Sequence, residues 1–458
     1  MREATAMPTS RTALAVAVGL VLADSSVVVL ALPEIYRELD VSVTAVAWVL
    51  VAFNLTLALV AVPSALASRA LGPARLTVAG LVVFAGASLA CGLADSIEVL
   101  LGARCAQAIG GAAAVCAALE LMPSVTGSER AAAVAWASAG AIGAAVGPGV
   151  GGLLTDLVSW QSIFLVQVPV AIGLAVALAP AARGEGARAA VAREVRPAGR
   201  PHLAANAALA LVSAALAAAL FLIVLLLIEG WRMSPIGAAA AISVMPLAAL
   251  AGGRIGPIAD GRARAAAGAI LLAGGLAALA LLPSATVLAT IPPQLLVGAG
   301  LALTLSALTE AALAGRSPQA IHGGWTIAAR HAGVVAGLLV LTPVFTSDLD
   351  TERENAEQAG TAALLDSHLD PSSKITLAER LADRLREEGE RVPVLDPAFE
   401  PLPDDPEQRA QTISLRANLQ DELDRAATHA FSDSFLIAAA FALAALAPIA
   451  LARERVEL

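Results

Sequence analysis

Apolar stretches of about twenty residues, separated by short polar or Gly/Pro-rich breaks, run through nearly the whole chain. A helix of that length crosses a hydrocarbon core of about 30 Å. Reading the runs and their breakers predicts twelve spanning helices, at about 12–35, 44–68, 76–94, 98–122, 131–157, 160–182, 203–228, 235–258, 265–282, 291–313, 319–346 and 431–452. The first run follows Arg2 and Arg11. It is longer than the apolar core of a leader peptide and ends without a small-residue cleavage pattern, so it reads as a retained helix.

The polar breaks are not alike. Arginines gather in alternate loops, at Arg2, Arg11, Arg69, Arg75, Arg130, between 183 and 200, at Arg254, Arg262, Arg264 and Arg316, and after 452. The opposite short loops offer only Arg37 and Arg232. Arginine bias in short loops marks the cytoplasmic side, which places both termini there. Trp48, Trp160 and Trp231 fall at outer helix ends, where indole favours the headgroup region.

A weak repeat divides the chain. Ser42 and Ser234 each begin a helix pair, and the same offset maps Ser68 onto Asp260. The expected units are a six-helix bundle at 1–182, a linker at 183–202, helices seven to eleven at 203–346, an insertion at 347–430, and helix twelve with a tail at 431–458. The insertion is the acidic part of the molecule. Between Asp348 and Arg425 lie 20 of the 38 acidic residues but only 9 of the 29 basic ones. Apolar stripes over 375–390 and 413–427 predict short amphipathic helices there, around a Pro-rich middle.

Composition removes the soluble classes. With 58% hydrophobic and 15% charged residues this is an all-α polytopic membrane protein. Aromatics make up only 3%, so helix contact must rest on small residues. Cys91, Cys105 and Cys116 all lie in apolar runs without ligand spacing, which predicts neither disulfide nor metal site. No nucleotide, nucleic-acid or catalytic-triad pattern is present, and no cofactor is implied.

The densest motif is Gly140-Ala-Ile-Gly143-Ala-Ala-Val-Gly147-Pro148-Gly149-Val-Gly151-Gly152. At 100° per residue Gly140, Gly143, Gly147 and Gly151 share one narrow helical stripe, bare enough for another backbone to approach. Pro148 removes one helical hydrogen bond and predicts a bend point. This stretch resembles the antiporter signature on the fifth helix of major facilitator superfamily exporters. Asp24-Ser-Ser-Val-Val-Val-Leu-Ala-Leu-Pro33 resembles the first-helix motif of drug:proton antiporters, and Leu101-Gly-Ala-Arg104-Cys-Ala-Gln107-Ala-Ile-Gly110-Gly111 the fourth-helix motif. Trp160-Gln-Ser-Ile-Phe-Leu-Val-Gln-Val-Pro169 is also family-like. Ala328-Ala-Arg330-His331-Ala-Gly333 is similar to a late helix of the fourteen-helix group, with His331 where glutamine is more usual. The resemblance implies two six-helix bundles rocking about a midplane site. It also implies proton-coupled export of small, largely hydrophobic compounds across a bacterial inner membrane.

The loop after the second helix departs from the family pattern. It reads Ser64-Ala-Leu-Ala-Ser68-Arg69-Ala-Leu-Gly72-Pro-Ala-Arg75, with serine where the family has aspartate. The counterpart in the second half, Asp260, is present. Arg69, Arg75 and Asp260 are therefore the gating-loop candidates.

Counting residues from the helix ends sets Asp24 about 20 Å from the cytoplasmic face and Arg104 about 9 Å below the outer one. In a core of about 30 Å these levels nearly coincide, and Arg330 falls close by. A lone charge there costs at least ~2.5–3.5 kcal/mol, so pairing or water access is expected. Burial favours a neutral carboxyl and a nearby arginine a charged one, so an arginine moving between states would alter proton affinity. Asp24 and Arg104 are thus either the proton-coupling pair or a permanent pair locking two helices. Glu120 and Glu310, near the cytoplasmic ends of helices four and ten, are either an inner vestibule pair or solvated helix-end carboxylates. His331 is a titratable cavity candidate or a satisfied interior histidine. Three functions stay open: proton-coupled exporter, translocator of lipid or envelope components with a partner docked on 347–430, and a degenerate scaffold that transports nothing.

Overall fold

The computed structural model describes residues 3–188, 199–252, 260–282, 285–388 and 394–452. The described residues are helical throughout, with no strand, and twelve helices are long and apolar enough to cross a membrane. Half of the expected linker at 183–202, namely 189–198, the stretch 253–259 leading to Asp260, and the tail after 452 lie outside the described residues.

The first group comprises α1 (Glu3–Val29), α2 (Leu32–Glu38), α3 (Val43–Leu71), α4 (Pro73–Gly92), α5 (Ile97–Thr126), α6 (Glu129–Leu157), α7 (Ser162–Leu165) and α8 (Gln167–Arg188). Side-chain caps start these helices where polar residues interrupt the apolar runs. Ser42, Ser96 and Ser128 each accept a hydrogen bond from the backbone N–H three residues on, satisfying one of the donors that a helix start leaves free. Gly72 and Gly127 close α3 and α5 at φ of 95° and 85°, a region costly for any residue with a Cβ. The first apolar run is not one helix: the chain turns at Leu30 and Ala31, and α2 restarts with Pro33 in its first turn. Pro148 does not interrupt α6, which continues through it.

The second group begins with α9 (Leu203–Leu225), which widens into a π turn at Leu226–Gly230. It continues through α10 (Pro235–Ile242), α11 (Val244–Gly252), α12 (Gly261–Ala280) and α13 (Val287–Leu313). Next come α14 (Gln319–Asp366), α15 (Pro371–Glu388), α16 (Pro406–His429), α17 (Ser432–Ala444) and α18 (Leu446–Leu451). Ser234 and Asp260 cap α10 and α12 through Gly237 N–H and Ala263 N–H. Contacts fall mostly within each group, with α1 on α6 and α4 on α5 in the first, and α12 on α13 and α11 on α13 in the second. Across the groups, α14 packs on α3 and α5, and α10 and α11 on α6.

The eleventh apolar run does not stop at its expected end near 346. No proline follows Pro343 before Pro371, and α14 runs 48 residues to Asp366. Its polar extension packs with α15 and α16 around Leu364, Leu377, Phe399, Leu415 and Leu419. The amphipathic helices of the insertion thus exist, longer than expected and built directly onto spanning helices. Two of the three tryptophans at outer helix ends spend their indole N–H groups on partners within the protein. Trp160 is fully buried with its indole N–H donating to Glu38 Oε2 at 2.8 Å, and Trp231 donates to Thr428 Oγ1 at 3.0 Å. Of these three, only Trp48 is substantially exposed.

Candidate functional site

Asp24 on α1 and Arg104 on α5 meet in the interior of the first group, both 0% exposed. Arg104 Nη1 donates to Asp24 Oδ2 at 2.5 Å and to Gln107 Oε1 at 2.6 Å, while its Nε donates to the Val49 carbonyl at 3.3 Å. The second carboxylate oxygen accepts from Gln107 Nε2 at 3.2 Å and from Gln167 Nε2 of α8 at 3.0 Å. Gln107 Nε2 also lies 2.9 Å from Ser88 Oγ and 3.1 Å from Gln167 Oε1. The guanidinium carbon sits 4.2 Å from the Phe53 ring centre and 5.6 Å from that of Phe164. Burying two charges is expensive, and attraction offsets the loss of water only when the remaining donors and acceptors are used. Here four helices supply them. Arg104 Nη2 alone is buried without a hydrogen-bond partner, so its stabilisation falls to the adjacent ion pair and rings.

Counting depth along the helices is enough to bring the ion pair together. It does not single out Gln107 and Gln167, which complete the carboxylate's shell, or Ser88, which holds Gln107, because none carries a charge to mark it. Both glutamines stand inside the quoted motifs, three and seven residues from Arg104 and Trp160.

His331 on α14 joins a different group. Its Nδ1 lies 2.6 Å from Asn54 Oδ1 of α3, and Ser25 Oγ lies 3.4 Å from the same oxygen. Asn54 Nδ2 donates to the Leu50 carbonyl, which leaves Oδ1 as an acceptor and makes His331 Nδ1 the donor. His331 therefore bridges the two groups at the level of the residue next to Asp24. Arg330 beside it is half-buried and makes no hydrogen bond or ion pair among the described residues.

Glu120 and Glu310 take separate partners. Ser68 Oγ donates to Glu120 Oε2 at 2.7 Å, whereas Glu310 lies 3.4 Å from both Arg130 of α6 and Arg264 of α12. The Arg130–Glu310 contact crosses between the groups. At the opposite end of the bundle Arg37 reaches Glu229 at 2.5 Å, a pair the sequence does not suggest because the π turn that carries Glu229 has no local signature. Among the gating-loop candidates, Asp260 is spent on capping α12 and Arg75 Nε lies 3.4 Å from the Ala182 carbonyl. Arg69 stands in the last turn of α3.

The missing aspartate has a structural reason. Ser68 is fully buried against Glu120, so a carboxylate at 68 would face a second one across a hydrogen-bond distance. Ser68→Asp is expected to destabilise the protein by about 1–3 kcal/mol, and adding Glu120→Gln should recover most of that. Thermal unfolding of the two variants checks this. Equal melting temperatures for wild type and Ser68→Asp would refute it.

The glycine stripe of α6 lies against α1. A Cβ on Gly143 would overlap the Gly19 carbonyl oxygen, one on Gly151 the Val27 carbonyl oxygen, and one on Gly147 the Ser26 hydroxyl. Gly140 faces Leu22, and Gly152 reaches across the groups to Pro235 and Ala239 of α10. Pro148 is buried beside them.

Comparison with known proteins defines the class. The model of the Major Facilitator Superfamily matches residues 14–342, and the chain belongs to that family, whose members are membrane transporters and not enzymes. Multidrug resistance protein Stp of Mycobacterium tuberculosis is 36% identical over 163 residues, 34% of this chain and 30% of the relative. Methylenomycin A resistance protein of Streptomyces coelicolor is 36% identical over 210 residues, 44% and 42% of the two chains. The matches thus span less than half the length of these relatives. Among solved structures, a bacterial homologue of the human lysosomal transporter Spinster, inward-facing and unoccupied, superposes with a TM-score of 0.58 at 17% identity. That match covers 98% of this chain and 99% of that one, and the likeness is one of fold.

Proposed function

We propose that the chain is a proton-coupled exporter of small, largely hydrophobic compounds in a bacterial plasma membrane, with both termini cytoplasmic. The moving bodies in this reading are 1–182 and 203–346 joined with 431–458. The observation that carries it is the sealed Asp24–Arg104–Gln107–Gln167 cluster, the one carboxylate-bearing cluster at mid-depth among the described residues. A carboxylate held there by a single cation can bind a proton only when that cation moves or water enters. The drug-resistance relatives support the choice of cargo. Alternation would open one end by parting Arg37 from Glu229 and the other by parting Arg130 from Glu310. The exposed Arg130–Glu310 pair is worth about 0–1 kcal/mol, weak enough to break in a working cycle, while Arg37–Glu229 is more sheltered on the glutamate side.

Efflux from proteoliposomes under an imposed proton gradient, run against a panel of hydrophobic compounds and lipids, tests the reading. Accumulation driven by the gradient and abolished by a protonophore is expected. Substrate flux indifferent to the gradient would sink proton coupling. A second reading, transfer of a lipid or envelope component to a partner, is favoured by the insertion at 347–430. It holds its own small apolar core directly above two spanning helices. The same panel separates the two, because that reading requires lipid to be the cargo.

A further inference from the structure

We infer that the transport path carries an anion-binding point at Arg330, so that the preferred cargo is an amphipathic compound with a negatively charged group. The inference rests on the transporter reading above and adds to it a chemical class of substrate.

The placement of Arg330 follows from its helix. Seven residues turn an α-helix by 700°, so Gly323, Arg330 and Gly337 lie within about 20° of one line along α14. A Cβ on Gly323 would meet Leu119 of α5 in the first group, and one on Gly337 would meet Ala214 of α9 in the second. The arginine therefore stands on one face of α14 between a contact across the groups, at Gly323, and a contact with α9 within the second group, at Gly337. Its level is set by its neighbour. His331 bonds Asn54, which Ser25 also approaches, so Arg330 stands at the depth of Asp24.

Charge at this depth does not balance. Among the described residues the charged side chains here are Asp24, Arg104 and Arg330. Both oxygens of Asp24 are already taken, one by Arg104 and the other by Gln107 and Gln167. Asp24 is thus not available to neutralise Arg330. The next carboxylates along the path, Glu120 and Glu310, are engaged by Ser68 and by Arg130 and Arg264 toward one end of the bundle. Arg330 Nη and Nε atoms are not among the buried atoms lacking a partner, in contrast to Arg104 Nη2, so they open onto accessible space. An uncompensated guanidinium with free, accessible donors at mid-membrane is costly until something neutralises it. A carboxylate, sulfonate or phosphate offers paired oxygens that fit its donor fork. The neighbours that this face meets above and below, Leu119 and Ala214, are apolar and suit the rest of an amphipathic molecule.

Matched pairs of ligands that differ only in charge test this. The full chain in lipid nanodiscs, with empty nanodiscs as the blank, is dialysed to equilibrium against 8-anilinonaphthalene-1-sulfonate and its uncharged analogue N-phenyl-1-naphthylamine. Aryl carboxylates and alkyl phosphates are run with their neutral esters. At least one anion should bind saturably and more tightly than its neutral partner. Arg330→Gln should weaken that anion about tenfold or more and leave the neutral partner unchanged, since one charged hydrogen bond is worth that much. Arg330→Lys, which keeps charge but loses the fork, should fall between. Thermal melting shows whether the variants are folded. If Arg330→Gln does not fold, the lysine variant and the charge selectivity of the wild type decide between the outcomes. No charge selectivity in any pair, or equal anion binding by wild type and Arg330→Gln, overturns the inference. Gradient-driven efflux of neutral or cationic compounds that persists in Arg330→Gln would then leave the exporter reading standing. Anion binding without gradient dependence would instead remove the proton coupling and keep the anion site.

Discussion

Asp24→Asn should reduce gradient-driven efflux to the level of empty vesicles while energy-independent substrate exchange continues. Asparagine keeps the size of the side chain but cannot cycle a proton, so any coupling that runs through position 24 stops. The same change leaves Arg104 buried with no counterion, and breaking a buried pair from one side costs about 3–5 kcal/mol. Loss of transport in that variant alone would therefore not separate coupling from folding. The double variant Asp24→Asn/Arg104→Gln separates them. It removes both charges and leaves amides that can bond with Gln107 and Gln167, so most of the lost stability should return. Transport should not return. A double variant as stable as wild type that still pumps against a gradient would make the pair a permanent lock between α1 and α5 and place the proton elsewhere. His331, Glu120 and Glu310 would be the next to examine, in order of depth.

The ion pair is legible in the sequence because charges inside apolar runs are few and helix rise converts position into depth. Asp24 and Arg104 need no more than that. The twelve spans are legible for a related reason, since hydropathy over twenty residues survives errors of a few positions at either end. What the sequence hides depends on contact between distant elements. Gln107 and Gln167 become partners only once α5 and α8 are set beside α1. Ser68 reads as a defect in a gating loop until Glu120 stands beside it. The continuation of α14 past 346 is hidden because a polar stretch reads as the end of a span, whereas polarity ends burial in lipid and not the helix itself. A second close seam is shorter but has the same spacing. Gly333 and Gly337 of α14, four residues apart as in the small-xxx-small pattern of membrane helices, lie against the Ala210 and Ala214 carbonyls of α9.

Substitutions along the α6 stripe should rank by what each new methyl group meets, not by glycine content. Gly143→Ala and Gly151→Ala place a Cβ on backbone carbonyl oxygens of α1, at Gly19 and Val27, which cannot rotate aside. Overpacking of this kind costs about 1–3 kcal/mol, and relief requires α1 to move away from α6. Because α1 also carries Asp24, that shift would disturb the hydrogen bonds to Arg104 and Gln167, so transport should be lost along with stability. Gly147→Ala meets the Ser26 hydroxyl, which can turn only by giving up its 2.8 Å bond to the Ala23 carbonyl, and should be intermediate. Gly140→Ala meets the end of the Leu22 side chain, which can adopt another rotamer, and should be milder. At Gly149 a Cβ meets no atom within 4 Å, so Gly149→Ala should leave efflux and melting temperature as in wild type. Gly152→Ala differs from all of these. Its methyl group would press on Pro235 and Ala239 of α10 and come only to ordinary contact distance of Leu30 after α1, so it tests chiefly the junction between groups. Melting temperature and efflux measured across the six variants decide the matter. If Gly143→Ala behaves as Gly149→Ala does, the stripe is not a close seam, and the helix positions that bring Asp24 to Arg104 must be held by something else.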